Sequence, residues 1–166
     1  MQQMIETAVG ALPIHGRWTK TVWRTLPDLS VVMAEQQVVD NLIVNGGMNF
    51  LAARIGSQAV GTNSAMAYTA IGTVSTAATL TNATLTGEIS RKAFATTTLN
   101  GNVWTIINTW AGSADSVTSV SIVEAATFNH ASSAQGVMFQ RATFSPVVLA
   151  NSDYMSLQID STVGSR

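Results

Sequence analysis

Leu99-Asn100-Gly101-Asn102 constrains this chain more than any other stretch. Asn-Gly supplies the positive φ angles that a two-residue hairpin turn needs. The segments on either side must then run antiparallel. Val103–Trp110 alternates Trp104, Ile106 and Trp110 against Val103, Thr105 and Ile107, as a half-buried strand does. Further strand-like segments recur across 64–166: 66–72, 88–99, 117–128, 137–144 and 152–161. The last of these sets Met155, Leu157 and Ile159 against Tyr154, Ser156 and Gln158. Thr and Ala dominate 74–85, which reads as a loop, and Pro146 is expected to end the segment 137–144. Short strands at such spacing, with turn signals between them, indicate an antiparallel sandwich or jelly roll rather than a βαβ fold.

One helix is expected. Asn45 can cap it, Met48, Leu51, Ala52 and Ile55 give it an apolar face, and Gly56 suits the left-handed position past its end. A short strand, Val38–Val44, precedes it. Upstream, Met1–Asp40 shows little regular pattern beyond one strand-like piece, Thr19–Arg24. It holds Trp18 and Trp23, whose indoles need burial, among Arg17, Lys20 and Arg24. Such a segment reads as an arm lying on something else. The expected architecture is thus mainly β: an antiparallel jelly-roll-like β-sandwich over residues 41–166, with one short helix, and an extended N-terminal arm over 1–40.

Composition narrows the function. Only 10% of the 166 residues are charged, against about 25% in ordinary domains. The place of charge is taken by 21 Thr, 16 Ser and 22 Ala. A surface so poor in charge suits burial by copies of itself or by a partner. With no Cys, disulfides and thiolate zinc sites are excluded. Eight basic residues against nine acidic ones give no overall field for nucleic acid or anionic lipid. Met4–Leu12 is mildly apolar, but Glu6 interrupts it and no basic residue precedes it, so it makes a poor signal peptide. No run of about 18 apolar residues occurs, so no membrane-spanning helix is expected.

The chemistry-bearing residues are few. His15 and His130 have no ligand-type neighbours at metal spacing, so no metal is expected. No nucleophile elbow, calcium loop or phosphate cradle is present, and no cofactor is expected. Glu124 is the lone charge in its strand, as Arg91 and Arg141 are the main charges in theirs. An acid with arginine partners in a cleft would suit a glycosidase. A structural ion pair across strands, fixing register, is the favoured reading. Arg17-Trp18-Thr19-Lys20-Thr21-Val22-Trp23-Arg24 mixes cations and aromatics as some nucleic-acid binders do. Trp and Arg also dominate protein hot spots, and a partner-binding role for Arg17, Trp18, Lys20, Trp23 and Arg24 is favoured over nucleic acid.

From Asn41 to Ile159 the chain resembles a family of small bacteriophage virion proteins. The resemblance rests on Asn41-Leu42-Ile43-Val44-Asn45-Gly46-Gly47 with Arg54, on Ile71-Gly72-Thr73, and on Leu85-Thr86-Gly87-Glu88 with Arg91. It continues through Glu124-Ala125-Ala126-Thr127-Phe128-Asn129, then Gly136-Val137-Met138 with Arg141, Phe144, Pro146 and Val147, and ends on Asp153-Tyr154-Met155-Ser156-Leu157. Ala126 stands where the family often has Gly. The resemblance implies a non-enzymatic capsid decoration (cement) protein that binds the major capsid protein, assembles as a homotrimer and sits on the virion surface after assembly in the host cytoplasm. It implies as the alternative a tail, neck or fibre-associated virion protein. Neither nucleic acid nor membrane is an expected partner.

Overall fold

A computed structural model describes residues 14–56, 65–133 and 135–164. The strands are β1 (Ile14–Thr25), β2 (Val31–Asp40), β3 (Leu42–Ile43), β4 (Tyr68–Gly72), β5 (Glu88–Ala93), β6 (Thr96–Asn100), β7 (Val103–Ala111), β8 (Ile122–Phe128), β9 (Met138–Val147) and β10 (Tyr154–Val163). One helix, α1 (Asn45–Ile55), follows β3. The strands form two five-stranded sheets, ordered β2-β1-β10-β7-β6 and β3-β9-β8-β4-β5. Every pairing between named strands is antiparallel. The mainly β, antiparallel architecture with one short helix is therefore present.

The sheets face each other across one core. Trp18 and Val22 of β1, Ile106 and Trp110 of β7, and Met155, Leu157 and Ile159 of β10 meet Ile71, Ile122, Ala125, Ala142 and Phe144 of the second sheet. A second cluster lies around Ala70, Ala126, Phe128, Met138, Val44 and Leu85. Leu85 comes from the long connection between β4 and β5. That connection covers part of the second sheet, so β8 is buried along its whole length.

Residues 14–40 differ from the expected arm. They form β1 and β2, and β1 lies inside the first sheet, between β2 and β10. Trp18, Lys20 and Val22 all turn inward at period two and are buried. Lys20 hides this alternation in the sequence, because a cation at an inward position breaks the apolar pattern. The expected boundary at residue 40 thus divides two neighbouring stretches of one sandwich. The part of the expected arm over 1–13 lies outside the described residues.

Other segments shift for local reasons. The single strand expected over 88–99 is two strands, β5 and β6, in different sheets, with the crossing at Phe94-Ala95. Asn108 Oδ1 accepts the Ala95 N–H there, at 2.7 Å. Residues 116–121 are irregular, with Ser116 and Ser119 at positive φ, so β8 is shorter than expected. Pro146 lies within β9. Its missing N–H is tolerated because β3 pairs only with Arg141 and Gln140 on that side. In α1 the cap is Val44, without a side-chain hydrogen bond, and Gly56 has φ −80° rather than a left-handed angle.

Candidate functional site

Two arginines organise the outer face of the second sheet. Glu124 on β8 lies opposite Thr143, and Arg141 on β9 lies opposite Ala126, so the two are diagonal neighbours. Arg141 donates Nε–H to Glu124 Oε2 at 2.9 Å, and its Nη2 is 2.8 Å from the same oxygen. The rest of the guanidinium binds the β4–β5 connection: the Thr76 carbonyl at 2.8 Å, the Ala77 carbonyl at 3.2 Å and Asn82 Oδ1 at 2.9 Å. Glu124 Oε1 in turn accepts the Val74 N–H at 3.3 Å. Gly72 lies opposite Glu124, and a Cβ at that position would come 2.5 Å from Glu124 Oε1. Glycine is required there because the carboxylate occupies the space. Gly72, Glu124, Arg141 and Asn82 thus make one buried polar centre that ties the loop to the sheet.

Arg91 does the same for the next loop. It does not reach Glu124, which is a correction to the expected cluster. It makes a two-pronged pair with Glu88, at 2.8 Å from Nε to Oε1 and 2.7 Å from Nη2 to Oε2. Its Nη1 donates to the carbonyls of His130 at 2.8 Å and Ser132 at 2.9 Å. The guanidinium stacks on Phe128, 3.7 Å from the ring centroid. Asn129 closes the base of this loop by accepting the Val137 N–H at 2.6 Å. His130 Nδ1 accepts the Ser132 N–H at 3.0 Å.

Chemically, both centres are occupied. Each carboxylate faces a guanidinium, and each guanidinium spends further donors on loop oxygens, backbone carbonyls for both and Asn82 Oδ1 for Arg141. Glu124 has no solvent exposure at all. Among the described residues, no three His, Cys, Asp or Glu side chains gather as a metal site would require.

The expected partner-binding residues on β1 separate into two groups. Trp18 and Lys20 are 0% and 1% exposed and belong to the core, so neither is presented to a partner. Lys20 Nζ donates to Glu35 Oε1 at 2.7 Å and to the Ser145 carbonyl at 2.8 Å, and lies 5.2 Å from the Phe144 centroid. It joins the two sheets. Arg17, Trp23 and Arg24 lie toward the outside. Arg17 is in register with Asp40 and Asp160. Trp23 stacks on Tyr154 with centroids 6.0 Å apart. Arg24 is 3.9 Å from Asp153.

The exposed apolar surface lies next to this group, where the sequence reading placed no site. The β1–β2 turn is Pro27-Asp28-Leu29. Leu29 N–H donates to the Leu26 carbonyl and Leu26 N–H to the Ser30 carbonyl, both at 2.9 Å. Such a three-residue hairpin loop ends on a left-handed residue, usually Gly. Here Leu29 takes that place at φ 66° and is 81% exposed. A bulky residue in this conformation costs about 1–2 kcal/mol. Asp28 accepts from the Ser30 hydroxyl at 2.6 Å and the Ser30 N–H at 3.0 Å, which holds its carboxyl below the usual carboxylate range. Leu26, Val31, Val32 and Met33 extend the apolar surface from the tip into β2. Pro27-Asp28 is a legible turn signal, but nothing in sequence alone says that Leu29 faces solvent.

An apolar groove of about 620 Å³ opens elsewhere, between α1, the β6–β7 hairpin and the start of β1. Phe50, Met66, Trp104 and Phe139 line its floor, and Ile14, Leu51, Leu99, Val163 and Arg54 its sides. No helix among the described residues is long and apolar enough to cross a membrane. Compared with known proteins, the chain matches no family, no curated protein and no solved structure.

Proposed function

We propose that this chain is a structural subunit of a bacteriophage particle, a decoration (cement) protein that binds the major capsid protein lattice from the virion surface. The observation that carries the proposal is the β1–β2 hairpin: a braced turn that presents Leu26, Leu29 and Met33 to solvent from the edge of a packed sandwich. Exposed apolar patches of this kind are used for association. Arg17, Trp23 and Arg24, on the same strand, flank it. The residues behind the family resemblance support the reading from the other side. Gly72, Glu88, Arg91, Glu124 and Arg141 hold loops in place, as a scaffold requires, and the two acid–arginine pairs spend their charges on each other. The proposed role is non-catalytic and needs no cofactor.

The jelly-roll-like description belongs to the same proposal. It is favoured by nested pairing: β1 with β10, β3 with β9 and β4 with β8, each pair enclosed in sequence by the one before. A homotrimer is the proposed assembly on such a lattice.

Cryo-electron microscopy of particles that incorporate the chain tests the assignment. The expected result is density in many copies across the capsid lattice, with the β1–β2 hairpin at a contact. Density confined to the tail or neck would replace the cement role by that of a tail, neck or fibre-associated protein. Particles that exclude the chain would overturn both.

A further inference from the structure

Four strands end the two sheets: β2 and β6 the first, β3 and β5 the second. β3 has two residues, β6 five and β5 six, and β5 carries Arg91, Lys92 and a bulge. β2 has ten residues. Edge strands are ordinarily guarded against pairing by Lys, Pro or a bulge. The bulge of β2 is at Ala34, because Val22 is in register with Glu35 and Trp23 with Met33. Past it, Glu35-Gln36-Gln37-Val38-Val39-Asp40 keeps a regular register with β1 and contains neither Lys nor Pro. The Glu35 carboxylate is committed to Lys20 at 2.7 Å.

One bond fixes which way the backbone of this stretch points. Asn41 N–H donates to the Gly16 carbonyl at 3.1 Å, so Asn41 faces β1. Bonded and unbonded pairs alternate along an antiparallel ladder. Glu35, Gln37 and Val39 therefore face β1, and the N–H and C=O groups of Gln36, Val38 and Asp40 point away from it. Among the described residues these groups have no backbone partner. The side chains of Gln36, Val38 and Asp40 are exposed, Val38 at 53%. Donors and acceptors that recur at every second residue along an edge fit an extended strand.

We propose that this strand is β2 of a second copy, paired antiparallel about a two-fold axis at Val38. Val38 then meets Val38 of the second copy, and Gln36 meets Asp40. Each of these pairs exchanges both of its N–H···O bonds. The register also suits the charges. Glu35 and Asp40 are the acids of the stretch, and like charges directly opposite are destabilising. Centred on Val38, the pairing sets Asp40 against the Gln36 amide and Glu35 against Asn41. Centred on Asp40, it would set two carboxylates against each other. A two-fold contact is isologous, the same surface serving both copies. It joins the first sheets of two copies edge to edge and uses the backbone of residues 36–40 rather than the hairpin tip. It does not rest on the viral reading and leaves the three-fold assembly free to form.

Single cysteines read the register directly, because the chain has no Cys of its own. In a bonded antiparallel pair the Cα atoms are about 5.5 Å apart, within disulfide reach. In the full chain, Val38→Cys is expected to form a disulfide-linked dimer under mild oxidation at least tenfold faster than Leu99→Cys, at a position 76% exposed on β6. Gln36→Cys and Asp40→Cys are each expected to stay uncrosslinked alone and to crosslink when mixed, because these positions meet only across copies. Sedimentation velocity gives the second reading. The wild-type chain is expected to dimerise reversibly as its concentration rises. Val38→Lys sets two cations opposite each other and is expected to weaken the dimer at least tenfold at an unchanged melting temperature. A wild-type chain that stays monomeric overturns the proposal, as does Val38→Cys that crosslinks no faster than Leu99→Cys. A mixture of Gln36→Cys and Asp40→Cys without a mixed dimer, or a dimer that Val38→Lys leaves intact, overturns it as well.

Discussion

At the scale of single residues, the acid–arginine pairs of the second sheet are buried or nearly so. Glu124 is fully buried and has one cationic partner, Arg141. A buried ion pair adds little net stability over a well-packed apolar pair, yet removing one partner leaves an uncompensated charge. Glu124→Ala and Arg141→Ala should each lower stability by about 3–5 kcal/mol, and the double variant by less than the sum. Urea unfolding of the four proteins in this cycle checks it, and simple additivity would mean that the two residues act separately. Pairing of Glu124 with a neighbouring-strand arginine was readable from sequence, since each is the main charge of its strand. The partner of Arg91 was not. Strict alternation puts residues three apart on opposite faces of a strand, which separates Glu88 from Arg91. In the structure Ile71 is opposite Ser90 while Gly72 is opposite Glu88, so Ile89 is an extra residue. This bulge turns Glu88 onto the face of Arg91. A bulge has no reliable mark in sequence, and the pair was invisible for that reason.

At the scale of elements, the helix shows how packing overrides pattern. Its spacing suggests a face of Met48, Leu51, Ala52 and Ile55, but Gly47 and Phe50 are the buried residues, and Ile55 is 82% exposed. The reason is the glycine. A Cβ on Gly47 would come 2.2 Å from the Phe139 carbonyl oxygen, so the helix backbone lies directly on β9. Close backbone contact, rather than an apolar stripe, sets the rotation of α1. Gly47→Ala should therefore destabilise the protein by about 1–3 kcal/mol, as overpacking does, although alanine is the better helix former. Thermal unfolding decides this: a variant as stable as wild type would mean that α1 is free to move off β9. Strands with clean alternation were legible for the opposite reason. β7 and β10 each have one face in the core and one outside, so their period is undisturbed. On the outer side of the first sheet, Thr19, Thr105, Thr109 and Thr162 alternate with buried residues. The abundant threonine thus replaces charge on the outward side of the strands, where β-branched side chains are favoured.

At the scale of the whole molecule, the decisive element is β1, the strand whose role the sequence hid. It pairs with β2 on one side and β10 on the other, supplies Trp18 and Val22 to the core, and sends Lys20 across to the Ser145 carbonyl of the opposite sheet. Were residues 1–40 an arm, the remaining chain would keep its core and fold alone. With β1 in place, removing 1–40 instead strips β10 of a ten-residue ladder from Ile14 to Trp23 and opens the core beside Leu157 and Ile159. The cost follows from size. Trp18 is fully buried, and loss of a single large core side chain already amounts to about 3–5 kcal/mol, a sizeable part of the roughly 5–15 kcal/mol that holds a domain folded. A chain beginning at residue 41 is expected to lose cooperative unfolding and its near-ultraviolet tryptophan signal, measured by circular dichroism against the full chain. A truncated chain that still melts in one sharp transition would mean that the second sheet and its pinned loops carry the fold without β1.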